Sequence, residues 1–107
     1  MPHYLYHVDY TADAWKAQVS HPKHRMESIT PLIEGLGGKV ICAYYTFGTE
    51  DLIAIVEMPS NYEAASFAIA ASAGGAVSNI STTVLMTMDE GFKAIQGAGK
   101  IAYSPPK

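Results

Sequence analysis

Alternating apolar and polar positions predict four β-strands, at residues 3–10, 39–47, 52–58 and 77–87. These segments are rich in valine, isoleucine, threonine and tyrosine, which favour extended backbone. The second and third strands flank a polar break, Gly48-Thr49-Glu50-Asp51, which is typical of a hairpin turn. The break holds two adjacent carboxylates where a turn needs only one such residue, so it is also a candidate site.

Helical spacing of apolar residues predicts two helical pieces between the first and second strands. Thr11 is the N-cap of the first piece, and Pro22 begins the second. Gly37-Gly38 ends the second piece. Pro31 lies inside it and removes a helical hydrogen bond, so we expect a kink one turn before that residue.

Two capping boxes predict where the remaining helices begin. Ser60 caps an alanine-rich helix and Glu63 reaches back to it, while Thr87 and Glu90 open a short helix that runs to about Gln96. Alanine has the highest helix propensity, and its short side chain allows a helix to approach a sheet closely.

The resulting order, β-α-β-β-α-β followed by an extra helix, describes the ferredoxin-like unit. Right-handed crossovers place the first strand between the third and fourth, antiparallel to both, with both main helices on one sheet face. We therefore predict an α+β fold with a four-stranded antiparallel sheet. It forms one domain at 1–96, followed by a C-terminal tail at 97–107.

The sheet face that the helices leave uncovered is also apolar. On the third strand Leu52 and Ala54 point one way, and Ile53 and Ile55 point the other. An antiparallel sheet with helices on one side is ordinarily polar on the other. We expect the sheet of a second subunit to pack there, with an exposed apolar face as the alternative. Which set of side chains meets the partner stays open, because both alternate sets are similarly apolar.

Composition excludes several classes of partner. The chain is 49% apolar and 16% charged, with a formal net charge of −3. No basic run exceeds two residues, which argues against nucleic acid, since phosphate contacts dominate that affinity. The sequence shows no apolar stretch of membrane-spanning length and no signal-peptide pattern. A single cysteine, Cys42, allows no internal disulfide, so we expect a cytoplasmic protein.

The hairpin turn gathers polar residues at one rim of the predicted sheet. The first and second strands end at the edge where the third and fourth strands and the first helix begin. The residues that meet there are Asp9, Tyr10, Thr11, Trp15, Glu50, Asp51 and Asn79. In a structural interpretation Asp51 bonds its own turn or the start of the first helix. In a functional one the rim binds a ligand and Asp51 is catalytic.

The histidines carry weaker signals. His7 is a candidate general base near neutral pH if it lines a pocket, and a satisfied core residue otherwise. His3 and His7 stand roughly 13 Å apart on one strand, too far to share a metal. His21 and His24, with Lys23 between them, are typical of a solvated helix face. We recognise no phosphate loop, nucleophile elbow or metalloprotease helix, and we expect no cofactor and no metal.

Four segments of the chain resemble the GYD-domain family: "YLYHVDYT", "LGGKVICAYYTFG", "DLIAIVEMP" and "AIAASAGGAVSNISTTVLMT". Gly48 and Asp51 match the ends of the Gly-Tyr-Asp pattern, while Glu50 stands where a tyrosine is usual. The resemblance implies a ferredoxin-like fold of the dimeric α/β-barrel kind and no particular activity. It also implies that Arg25, at a position often basic in the family, anchors an anion or pairs with a carboxylate.

Two functions remain open at this point. The first is an oligomeric small-molecule-binding protein or cofactor-free enzyme with a pocket between sheet and helices, in which His7 and Asp51 are catalytic. The ligand-binding candidates are Tyr10, Trp15, Arg25, Tyr44, Tyr45 and Glu50. The second is a non-catalytic oligomeric sensor or scaffold. Under both we expect a homodimer or higher homo-oligomer joined through the sheet face.

Overall fold

The computed structural model describes residues 1–106, which form one sheet and four helices. The strands are β1 (His3–Tyr10), β2 (Lys39–Tyr45), β3 (Leu52–Glu57) and β4 (Val77–Leu85). The helices are α1 (Ala12–Ser20), α2 (Arg25–Gly35), α3 (Asn61–Ala73) and α4 (Met88–Ala98). The strand order is β2-β3-β1-β4, and β1 is antiparallel to both of its neighbours. This arrangement confirms the predicted ferredoxin-like topology.

Five boundaries differ from the prediction. Strands β2 and β4 each end two residues early, at Tyr45 and Leu85, and β3 ends one residue early, at Glu57. Pro22 does not open the second helix but lies in the break before it, and α2 begins at Arg25. Helix α4 continues to Ala98 and so includes the first two residues of the predicted tail, whose final position, 107, lies outside the described residues. No helix in residues 1–106 is long and apolar enough to cross a membrane.

The predicted helix caps form, with one difference. Thr11 accepts a hydrogen bond from the backbone N–H three residues later, and Thr87 and Glu90 form a reciprocal capping box. The bond from the Thr87 backbone N–H, reinforced by the Thr87 side chain, lowers the pKa of the Glu90 carboxyl. Ser60 caps α3, but Glu63 accepts from the Ser60 hydroxyl at 2.9 Å, so that pair is not reciprocal.

Helix α2 ends in the glycine pair that the sequence indicated. The Gly37 N–H donates to the Glu34 carbonyl at 2.9 Å, and the Gly38 N–H donates to the Ile33 carbonyl at 3.0 Å. These two bonds form a Schellman motif, in which the residue after the C-cap is left-handed. Gly37 supplies that conformation with φ of 85°.

The protein core lies between the helices and one face of the sheet. The alternate side chains of β1 and β3 that face the helices are Tyr4, Tyr6, Val8, Tyr10, Leu52, Ala54 and Val56, all buried. Helix α2 packs over the edge strand β2 and α3 packs over the edge strand β4. The opposite set of side chains, which includes Leu5, Ile53 and Ile55, is only partly buried and forms an open face.

We predict that Gly38→Ala destabilises the fold by roughly 1–3 kcal/mol, the usual cost of overpacking. An added Cβ would lie 2.7 Å from Sδ of Met58 and closer still to the backbone carbonyl oxygen of Glu57. The strand backbone would have to move, because a carbonyl cannot rotate away as a side chain can. Urea unfolding followed by circular dichroism measures the change in the free energy of unfolding.

Gly35→Ala is the matched control. Gly35 is the last residue of α2, and a Cβ there meets nothing within 4 Å. We expect this variant to be as stable as the wild type or slightly more so, because alanine favours helix. Equal stability of the two variants would contradict the close approach of α2, β2 and β3 at Gly38.

Candidate functional site

A cavity of about 760 Å³ lies between the helix-bearing sheet face and helices α2 and α3, and we call it the central cavity. Because the two helices pack over the edge strands, they leave space above the central strands β1 and β3. Apolar side chains such as Val8, Val56, Ile29, Leu36 and Phe67 form most of its walls. Its volume and its apolar walls are typical of small-molecule sites.

Small side chains help to create this space. Ala54 of β3 and Ala70 and Ala71 of α3 line the cavity. The sequence suggested that alanines would bring α3 close to the sheet, and at Ala64 this is correct, since Ala64 is only 2% exposed. Further along α3, Ala70 and Ala71 line the cavity, so their small side chains leave open space there.

Tyr6 fixes one wall of the cavity. Its hydroxyl donates to the Ala64 carbonyl at 2.8 Å, and its ring centroid lies 5.4 Å from that of Phe67. Burial, together with the neighbouring Tyr4, raises the pKa of Tyr6 to about 12. Tyr6 is therefore neutral at physiological pH and serves as a structural hydrogen-bond donor rather than as a proton carrier.

Arg25 provides the positive charge of the cavity wall. Its Nε donates to the Tyr10 hydroxyl at 3.3 Å, and its guanidinium carbon lies 5.0 Å from the centroid of the Tyr10 ring. Among the described lining residues it is the only one with a charged side chain. Within residues 1–106 neither ion pair of the protein involves Arg25. The structure thus brings together two predicted ligand-binding residues and leaves the cation without a carboxylate partner.

A second, smaller cavity of about 220 Å³ adjoins the first at Arg25. Tyr44 and Tyr45, two further predicted ligand-binding residues, line it together with Lys23 and His24. The solvated face predicted for Lys23 and His24 is correct, since both are exposed. Their consecutive position with Arg25 after Pro22 is the sequence signal of a basic cluster.

Asp51 joins the end of β1 to the start of α1. Its Oδ2 accepts from the Tyr10 backbone N–H at 2.8 Å and from the Trp15 indole N–H at 3.3 Å. The Asp51 backbone N–H also donates to the Val8 carbonyl. Trp15 stacks edge-on against Tyr10 and lies near Tyr45, with centroids 5.3 and 6.4 Å apart. Of the predicted rim residues, Tyr10, Trp15 and Asp51 therefore meet, whereas Glu50 lies beside His7.

His7 lies elsewhere. It belongs to the β1 side chains that point to the open face, and it does not line either cavity. Its buried Nδ1 lies 3.5 Å from Oε1 of Glu50 and has no aligned hydrogen-bond partner in the described chain. The structure does not bring His7 and Asp51, the two proposed catalytic residues, into one site, because Asp51 reaches Trp15 on the helix side.

The described residues also contain no cluster of three or more histidine, cysteine, aspartate or glutamate side chains that could hold a metal ion. His3 pairs with Glu57 across the strands at 3.3 Å. His3 is therefore one member of a cross-strand pair on the sheet surface.

Comparison with known proteins supports the fold and no specific chemistry. The sequence pattern of a family described as "GYD domain" matches residues 4–95. No curated protein matches the chain. One similar solved structure is the crystal structure of MtbAldR, with a TM-score of 0.54 and 15% identity. The match covers 98% of this chain and 58% of the MtbAldR chain, so this chain spans little more than half the length of MtbAldR. At this identity the likeness shows the fold alone.

We predict that Asp51→Ala lowers the free energy of unfolding by about 2 kcal/mol, because a carboxylate that accepts two hydrogen bonds is lost. The Tyr10 backbone N–H would be left without its acceptor. Urea unfolding measures the effect, and the fluorescence of Trp15, the only tryptophan, reports the local change.

Glu50→Ala is the matched control, since it removes the adjacent carboxylate, which faces His7 and accepts no such pair of bonds. We expect a change below about 0.5 kcal/mol. If Asp51→Ala were more stable than the wild type, the structural role would be wrong. The Asp51 carboxylate would then destabilise the fold instead of stabilising it.

Proposed function

This chain belongs to the GYD domain family, and we propose that it is an oligomeric small-molecule-binding protein whose ligand occupies the central cavity. The observation that carries the proposal is the cavity itself, about 760 Å³ of mostly apolar space beside a small number of polar groups. The interior of a small domain ordinarily contains no cavity of this volume, because protein cores are packed as densely as organic crystals.

Binding without catalysis is the form of this function that we favour. Asp51 is engaged by two N–H donors, and His7 lies on the other side of the sheet. A cofactor-free enzyme would need an acid–base group within hydrogen-bond reach of its substrate. Tyr6, the buried hydroxyl in the cavity wall, has a pKa of about 12, which is far from the range useful for such chemistry. A sensor or carrier fits this arrangement better than an enzyme.

We further propose that two copies of the chain pair through their open sheet faces. Leu5, Ile53 and Ile55 lie on this face, and Tyr44 at its edge is 64% exposed. Helix α4 adds apolar side chains that are exposed as well, Phe92 at 61% and Ile95 at 72%. A second copy supplies the same apolar surfaces in return, as a two-fold interface requires. Burial of such surface is the main favourable term in association.

A cytoplasmic location completes the proposal. Cys42 is a free thiol, and a chain without disulfides does not depend on an oxidising compartment.

We predict that the protein binds N-phenyl-1-naphthylamine, a neutral apolar fluorophore, and that Ala54→Leu weakens this binding at least tenfold. The larger side chain would occupy part of the cavity, which Ala54 lines from β3. Fluorescence titration measures the dissociation constant, and thermal unfolding shows whether the variant is folded.

Ala65→Leu is the control, because Ala65 is an exposed residue of α3 that does not line the cavity. We expect wild-type affinity for this variant. The absence of saturable binding by the wild type, or equal binding by Ala54→Leu, would overturn the proposed function.

We predict that light scattering at micromolar concentration gives about twice the chain mass of 11.5 kDa, or a higher multiple. Ile55→Glu should shift the mass toward that of the monomer, because a buried unpaired carboxylate is costly in an apolar interface. Val19→Glu places the same charge on an exposed position of α1 and should leave the mass unchanged. A wild-type mass near 11.5 kDa would refute the dimer.

A further inference from the structure

We infer that the ligand of the central cavity is an amphipathic organic anion, with its charged head on Arg25 and its apolar body inside the cavity. The inference rests on the proposed binding function and adds the chemical class of the ligand. Its basis is the position of Arg25, which lines both the large apolar cavity and the smaller one beside it.

Arg25 has donors to spare. A guanidinium offers five N–H donors, and in the described chain only Nε has a hydrogen-bond acceptor, the Tyr10 hydroxyl. The Tyr10 ring fixes the side chain from one face, at 5.0 Å from the guanidinium carbon. The terminal nitrogens are therefore held in place and available for an oxyanion, two oxygens of which arginine binds through parallel bonds.

The charge around Arg25 favours an anion. Lys23 and His24 stand beside Arg25 at the smaller cavity, and no aspartate or glutamate of the described chain lines either cavity. This basic group is a local exception in a chain whose formal net charge is −3. A cluster of one charge sign at the mouth of a low-dielectric cleft concentrates ions of the opposite sign there.

The cavity walls determine the rest of the ligand. Tyr6 already donates its hydroxyl to Ala64, and Ser66 donates its own to Tyr62. Few groups are left to satisfy a polar ligand body, and unsatisfied polar groups are costly to bury. The ligand that fits both regions has one oxyanion, such as a carboxylate, sulfonate or phosphate, attached to an aliphatic or aromatic body.

Two probes with one carbon skeleton test this inference. N-phenyl-1-naphthylamine is neutral, and 8-anilinonaphthalene-1-sulfonate carries the same rings with an added sulfonate. We expect the wild type to bind the sulfonate at least tenfold more tightly than the neutral probe. We expect Arg25→Gln to abolish this preference, so that it binds the two probes with similar affinity.

Three further variants separate charge from folding. Arg25→Lys retains the positive charge but lacks the parallel N–H donors of the guanidinium, so it should keep part of the preference for the sulfonate. Lys23→Gln removes an exposed neighbour that bonds nothing in the core, and should weaken sulfonate binding severalfold. Lys16→Gln removes a charge of α1 that lines neither cavity and should have no effect on either probe. Circular dichroism verifies that each variant is folded.

The outcomes distinguish the two proposals. If the wild type binds neither probe, or if Ala54→Leu binds both probes as tightly as the wild type does, the cavity does not bind ligands and the proposed function is wrong. If the neutral probe binds in the cavity but the sulfonate binds no more tightly, or if the preference for the sulfonate persists in Arg25→Gln, the ligand class inferred here is wrong and the binding function stands.

Discussion

The structure depends on how the β1 tyrosines meet α3. Tyr4 and Tyr6 are both 1% exposed, and their hydroxyls donate to Oδ1 of Asn61 at 2.6 Å and to the Ala64 carbonyl at 2.8 Å. A buried phenol must place its ring among apolar groups and its hydroxyl on an acceptor. Satisfying both conditions sets the distance between the central strand and α3 to about the length of a tyrosine side chain. Tyr4 and Tyr6 therefore act as spacers as well as core residues.

The site follows from this spacing. Helix α3 is held above the sheet over β4, α2 packs over β2, and the alanines of α3 do not fill the space between. Tyr10, the last residue of β1, supports Arg25 on its ring and hydroxyl and is itself held by Asp51 through its backbone N–H. One strand thus supplies the cavity wall, the spacing of the helix above it and the support of the cation at its mouth.

Much of the fold was predictable because its signals are local. The caps at Thr11 and Thr87 and the glycine pair after α2 each depend on residues a few positions apart. The rim was also predictable, since the topology alone brings Asp51 to the end of β1. Less of the candidate site was predictable. His7 lies on the side of the sheet away from the cavity, and this was not predictable because no local signal decides which face of β1 meets the helices. Lys23 and His24 are exposed as predicted, but only the fold places them at a cavity beside Arg25.

The sequence by itself determined the element order, the strand arrangement and the N-caps of α1, α3 and α4, since chain reversals, caps and crossover handedness act over short distances. Only the tertiary structure decided which side chains of β1 and β3 face the helices, because both alternate sets are similarly apolar. The tyrosine hydroxyls settle that choice, as their acceptors lie on α3. The cavity is likewise a tertiary property. An alanine on α3 either packs closely against the sheet or leaves space, depending on the distance between the helix and the sheet. Tyr4 and Tyr6 set that distance.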